Sequence, residues 1–152
     1  MDGARGANTP LVADAGRVAD LARQIREGTL SPVDLVQRCL DRIDAVDPRV
    51  EAWVLVDRNR ALSEAERLGA EARAGQIRGP LHGIPVGVKD IIDVAGLPSR
   101  CNSRARRDAA PADGDAEIVA ALKTAGAVML GKTHTTEFAY FDPSPARNPY
   151  NP

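Results

Sequence analysis

Two short apolar runs joined through a helical segment constrain the fold more than any other feature of this sequence. The runs cover 84–88 and 127–130, and each has the length and composition of a buried strand. Between them, apolar residues at 118–122 mark a helix that Gly126 closes. The order helix, glycine, strand, loop predicts an α/β fold in which helices cover a largely parallel sheet. Pro85 places the first strand at a sheet edge or at the start of its paired segment.

The first fifty residues predict two helices joined by a short turn. The apolar stripe of the first helix consists of Val18, Leu21, Ala22 and Ile25. Gly28 then supplies the left-handed residue that ends many helices. Ser31 and Pro32 suit the cap and first position of the second helix. The stripe of this second helix consists of Leu35, Val36, Cys39, Leu40 and Ile43. The Asp-Pro pair at 47–48 is expected to stop it.

The segment that follows predicts a further strand and helix. The run 52–56 is of strand type, and a charged, alanine-rich helix is expected from about Asp57 to Arg73, ending at Gly75. Its packing face is made mostly of small side chains. Such a face suits close approach to a large partner surface.

Composition excludes several classes of protein. The chain has 152 residues, is 43% hydrophobic and carries a formal net charge of -1, which is typical of one modest globular domain and does not favour a polyanionic partner. No apolar run is long enough for a signal peptide or a membrane span, so a cytoplasmic protein is expected. Cys39 and Cys101 show no metal-ligand spacing and are expected to be free thiols, with Cys39 a small core residue.

Lys89 is the leading candidate for chemistry because it directly follows the apolar run 84–88. Desolvation would favour the neutral amine, which can accept a proton from a serine hydroxyl. The alternative from placement alone is an ordinary lysine at a strand end, either solvated or paired with Asp90. Residue type and position leave both interpretations open.

Three ordered blocks of sequence carry a resemblance to a known family. Residues 81–90, LHGIPVGVKD, resemble the lysine motif of the amidase signature family. The segments 115–119, DAEIV, and 122–127, LKTAGA, follow at the separation that the family would show. Residues 131–139, GKTHTTEFA, are similar to the family's segment that leads toward its serine loop. The helical hairpin before residue 50 also resembles the usual opening of these enzymes.

The resemblance implies an amidase signature fold, of which residues 1–152 would be the N-terminal part of a single domain. Within it, 1–50 would form the helical hairpin, and 51–152 the first strands and their covering helices. The family hydrolyses or transfers amides with a serine nucleophile, a second serine held through a cis peptide, and a lysine. Here Lys89 matches the lysine position, and its implied role is general base. No cofactor and no metal are implied.

The same resemblance sets expectations for partners and for activity. A small-molecule amide is the expected substrate, without direct nucleic-acid or membrane contact, and a homodimer is one expected assembly. The family's serine loop comes after a segment resembling 147–152, RNPYNP. None of the five serines lies in a glycine-rich loop. The chain is therefore expected to supply the lysine only and to have no turnover by itself.

Other interpretations remain open at this point. Within the family, the subunit of the glutamine-dependent amidotransferase that serves transfer-RNA charging is an alternative. From another class, Gly126–Thr133 satisfies the P-loop pattern of nucleotide-binding proteins, although its variable residues are apolar. Cys101 with His134 could form a nucleophilic dyad. Departures from the family pattern at 99–103 and at His134 are expected to shape the substrate pocket, while His82 and His134 could each be no more than hydrogen-bonded structural residues.

Overall fold

The computed structural model describes residues 17–150. Within that range there are four α-helices, which we number α1 (Val18–Arg26), α2 (Pro32–Val50), α3 (Arg58–Arg73) and α4 (Glu117–Thr124). Three strands are β1 (Trp53–Val56), β2 (Pro85–Lys89) and β3 (Val128–Thr133). Short 3₁₀ turns lie at Arg104–Arg106 and Glu137–Ala139. The predicted order of elements is confirmed, and the fold is α/β.

The three strands form one mixed sheet in the order β1-β3-β2. β2 and β3 are parallel, as expected for strands joined through a helix, whereas β1 is antiparallel to β3. β2 lies at the edge of this sheet, which agrees with the position of Pro85 in it because proline cannot donate a ladder hydrogen bond.

Successive residues of β3 point to opposite faces of the sheet and enter different cores. Val128 and Leu130 pack with the buried residues of α2 and α3 on one face. Met129 packs with Val88 and with Val119 of α4 on the other face. The sheet is thus covered on both sides. Among the helices of residues 17–150, none is long and apolar enough to cross a bilayer.

The local signals at the helical hairpin acted as predicted at the join, but the predicted end of α2 is wrong. Gly28 has φ 73°, and Ser31 Oγ accepts a hydrogen bond from Val33 N–H at the start of α2. However, α2 continues through Pro48 to Val50. Pro48 removes one helical hydrogen bond because it has no N–H, and the helix ends two residues later, at Val50. Asp47 Oδ1 then accepts the N–H of Ala52 at 2.7 Å and leads the chain into β1.

Cys39 lies on the face of α2 that packs against the core of Val36, Leu40 and Leu68. Burial raises the pKa of its thiol, since the thiolate would lose its hydration. The prediction of a small packing residue is confirmed.

Candidate active site

The candidate site lies at the edge of the sheet where the two parallel strands end. Lys89 is the last residue of β2 and pairs with Thr133, the last residue of β3. The next residue, Asp90, donates its N–H to Thr133 O at 2.9 Å. In α/β sheets the carboxyl ends of parallel strands are where ligands usually bind. The fold therefore carries the predicted lysine to a position suited to chemistry.

Lys89 is exposed in this structure, although the strand before it is apolar. Ile84 and Val88 are each 4% exposed, so the chain just before Lys89 is partly buried. The side chain of Lys89 itself is not enclosed by other side chains of residues 17–150. The expected water-poor niche is not found in that part of the chain. The alternative of a pair with Asp90 is also wrong, since Asp90 is paired elsewhere.

Two of the chain's three lysines form ion pairs with carboxylates. Lys123 forms an ion pair with Asp115, with Nζ to Oδ2 at 2.6 Å. Lys132 lies 3.1 Å from Asp90 Oδ1, and both side chains are 1% exposed. Within residues 17–150, Lys89 takes part in no ion pair. Lys89 is thus the amine in the described part of the chain that no carboxylate holds.

The buried pair of Lys132 and Asp90 was not predicted from the sequence. Lys132 Nζ also donates to Ser99 Oγ at 2.8 Å and to Pro98 O at 3.3 Å. A buried ammonium needs such compensation, because removing it from water is costly. The apolar run 127–130 could have indicated this buried lysine. The run continues as strand β3 to Thr133, and Lys132 therefore lies in a buried part of the strand.

Asp90 fixes the loop that follows β2. Its Oδ2 accepts the N–H groups of Arg100 at 3.2 Å and Cys101 at 3.1 Å. Ser99 Oγ in turn donates to Asp93 Oδ1 at 2.7 Å. These bonds tie both ends of segment 90–101 to the strand end beside Lys89.

The histidine and cysteine candidates have separate surroundings. His82 is 2% exposed, accepts the N–H of Arg78 at Nδ1 and places Nε2 at 2.9 Å from Leu68 O. His82 is therefore a hydrogen-bonded structural residue.

Cys101 is buried and its Sγ faces Ser99 O at 3.8 Å. Within residues 17–150 no hydrogen bond joins Cys101 to His134, so the dyad is not formed.

The P-loop interpretation of Gly126–Thr133 is wrong. Val128–Thr133 is strand β3 and not a phosphate-binding loop. Lys132, which would have to reach phosphates, is buried and paired with Asp90.

The described residues contain no group of three or more His, Cys, Asp or Glu side chains that could hold a metal ion.

The fold is of the α/β class, with a lysine at the carboxyl ends of its parallel strands, and comparison with known proteins gives the family. The sequence profile of the Amidase family matches residues 34–152. The chain belongs to the amidase family, as the resemblance predicted.

Similar proteins include hydrolases and one component of a transferase. An amidase of Pseudomonas putida is 39% identical over 136 residues, which is 89% of this chain and 28% of the relative. A glutamyl-tRNA(Gln) amidotransferase subunit of Salinispora tropica is 41% identical over 139 residues, which is 88% of this chain and 28% of the relative. The peptide amidase structure from Stenotrophomonas maltophilia has a TM-score of 0.77 and 40% identity, covering 86% of this chain and 27% of its own. This chain thus spans little more than a quarter of the length of these relatives.

Proposed function

We propose that this chain supplies the lysine base of an amidase that hydrolyses a carboxamide C–N bond by a Ser-cisSer-Lys mechanism. The observation that carries the proposal is the position of Lys89 at the carboxyl end of β2, in the segment that resembles the family's lysine motif. Its freedom from ion pairs among residues 17–150 supports the same role, because a base must accept a proton.

In this mechanism the neutral lysine takes a proton relayed through the bridging serine, and the nucleophilic serine attacks the amide carbonyl. Backbone N–H groups of a glycine-rich loop stabilise the oxyanion. Ammonia or an amine leaves, and water then releases the acyl group. Since Lys89 is exposed here, we place the groups that exclude water from it outside residues 17–150.

The serines of this chain do not suit the role of nucleophile. Ser31 and Ser103 cap helical turns. Ser99 contacts a lysine, Lys132, but that amine is buried in an ion pair with Asp90 and also donates to Pro98 O, so its position is that of a structural group. We therefore propose that this chain has no turnover by itself, because members of a catalytic triad act as a unit.

Ammonia release from a panel of small carboxamides tests both parts of the proposal. The purified chain should show no turnover. In a hybrid where residues 34–150 replace the matching segment of the Stenotrophomonas peptide amidase, Lys89→Ala should lower kcat about a thousandfold or more. Lys123→Ala, which removes a lysine of α4 away from the site, is the matched control and should leave kcat unchanged.

Two outcomes would contradict the proposal. Hydrolysis by the purified chain that disappears in Lys89→Ala would show that this chain is active alone. A hybrid that keeps its rate after Lys89→Ala would show that Lys89 is not the base.

The amidotransferase subunit is a second candidate, favoured by the 41% identity to the Salinispora tropica protein. The two candidates differ in partners, since such a subunit works in a complex. Co-purification of partner proteins from the native host would support the amidotransferase, and their absence would support the hydrolase. The cytoplasmic location and the homodimer stay predictions.

A further inference from the structure

Four arginines within segment 100–107 are separated by the structure into two groups. Arg106 turns away and donates its Nε–H to Ser99 O at 2.8 Å. Arg100, Arg104 and Arg107 instead line one cavity of about 270 Å³. Three cationic side chains therefore line one space, whereas the sequence alone favours a solvated loop in which Asp108 and Asp113 accompany the arginines.

The short 3₁₀ turn explains this separation. Ser103 Oγ accepts the N–H of Ala105 at 3.3 Å and starts the turn Arg104–Arg106. In a 3₁₀ turn the side chains at positions i and i+3 are eclipsed, so Arg104 and Arg107 leave the backbone on the same side. Arg106 points in another direction.

The charges around the cavity leave it positive. Within residues 17–150, none of the three arginines that line it forms an ion pair. Asp90 contributes an acidic side chain to the wall, but Lys132 and two backbone N–H groups offset its charge. Asp108 lines a different cavity, together with Arg106. The arginines that face the cavity are thus available to an anion.

Uncharged polar groups complete the wall. Asn102, Ser103 and His134 line the cavity. The Nδ1 atom of His134 is buried and has no hydrogen-bond partner among the described residues. An unpartnered buried polar atom is costly, and a ligand oxygen would satisfy this nitrogen when it carries the proton.

We propose that this cavity is a binding site for the carboxylate of a small organic acid. Guanidinium groups bind carboxylates through paired N–H donors, which suits Arg104 and Arg107 on one side of the turn. A volume of 270 Å³ lies just below that of sites for drug-sized ligands, so the ligand is small. The site stands beside the candidate lysine, since Asp90 follows β2 and His134 follows β3. Binding of a carboxylate at this site does not require that the chain takes part in amide hydrolysis.

Titration calorimetry of the chain with succinate at low salt tests the proposal, with succinamide as the neutral analogue. Saturable binding of succinate and none of succinamide is expected. Arg104→Gln and Arg107→Gln should each weaken succinate binding about tenfold, the loss expected for one charge-assisted contact. Arg106→Gln removes the same charge from the same loop but outside the cavity, and should change the affinity less than about twofold.

The proposal is overturned if succinate shows no saturable binding or if succinamide binds equally well. It is also overturned if Arg106→Gln weakens binding as much as Arg104→Gln, because the loop would then attract anions by charge alone. Amide NMR shifts provide a second measurement: succinate should perturb Asn102, Ser103 and His134, and a response confined to other residues would contradict the site. Arg104 and Arg107 are exposed, so these variants should fold.

Discussion

Lys132 of β3 and Asp90, the residue after β2, form an ion pair inside the protein, with Nζ 3.1 Å from Oδ1 and each side chain 1% exposed. The two residues are far apart in sequence, yet the parallel pairing of β2 and β3 makes them neighbours. Asp90 also holds the N–H groups of Arg100 and Cys101. The pair therefore joins the end of the sheet to the loop beside the candidate active site.

Removal of Lys132 should strongly destabilise the fold. Lys132→Met leaves the Asp90 carboxylate buried without its counter-charge, and we expect the free energy of unfolding to fall by about 3–5 kcal/mol. The double variant Lys132→Met/Asp90→Asn should recover part of this loss, since no unpaired charge remains. Urea denaturation measures both. A loss below about 1 kcal/mol in the single variant would show that the pair contributes little.

The same substitution at Lys89 should have almost no effect on stability. Lys89 is exposed and in no ion pair within residues 17–150, so Lys89→Met should change the free energy of unfolding by no more than about 0.5 kcal/mol. Urea denaturation beside Lys132→Met provides the comparison. Equal destabilisation by the two variants would mean that the amine of Lys89 is packed in solution.

Gly131 should tolerate no side chain. It has φ 154°, and an added Cβ would lie 2.0 Å from Leu55 O of β1. We expect Gly131→Ala to lower the free energy of unfolding by at least about 3 kcal/mol, because backbone must move. Gly28→Ala is the control: nothing lies within 4 Å of an added Cβ there, and only the left-handed conformation adds a cost of about 1–2 kcal/mol. Thermal melting distinguishes the two, and similar losses would contradict the clash.

Asp115 should make stability depend on acid pH. Partial burial would raise the pKa of its carboxyl, but hydrogen bonds from Lys123 and Ala95 N–H, with the charges of Lys123 and Arg60, outweigh burial and lower it. A carboxyl with a lowered folded-state pKa stabilises the fold above its unfolded value of about 4, and this contribution is lost as the pH falls through the folded-state value.

Asp115→Asn should therefore lower stability at pH 7 and reduce the further loss below about pH 4. Lys123→Met should have a similar effect, because it removes the side chain that donates to Asp115 at 2.6 Å. Urea midpoints at a series of pH values provide the test. An unchanged pH dependence in Asp115→Asn would rule out this contribution.

Local sequence signals were enough to predict the order of elements and the position of Lys89. Gly28 and Ser31 act on their own backbone neighbours, so the join of α1 and α2 could be predicted. The apolar run before Lys89 likewise indicated a strand and the residue at its end. The effect of Pro48 was misplaced by two residues, because the loss of one N–H bond weakens a helix without fixing the residue at which it ends.

Which lysine is buried, and which arginines share a cavity, depends instead on how the elements pack in three dimensions. Neighbouring residues on a strand point to opposite faces, so Asp90 could not be assigned a partner from its proximity to Lys89. Lys132 reaches Asp90 through the pairing of two strands, and Arg100 shares a cavity with His134 because Asp90 holds the loop that carries Arg100. Contacts between residues far apart in sequence depend on the packing of the whole sheet, which no local pattern encodes.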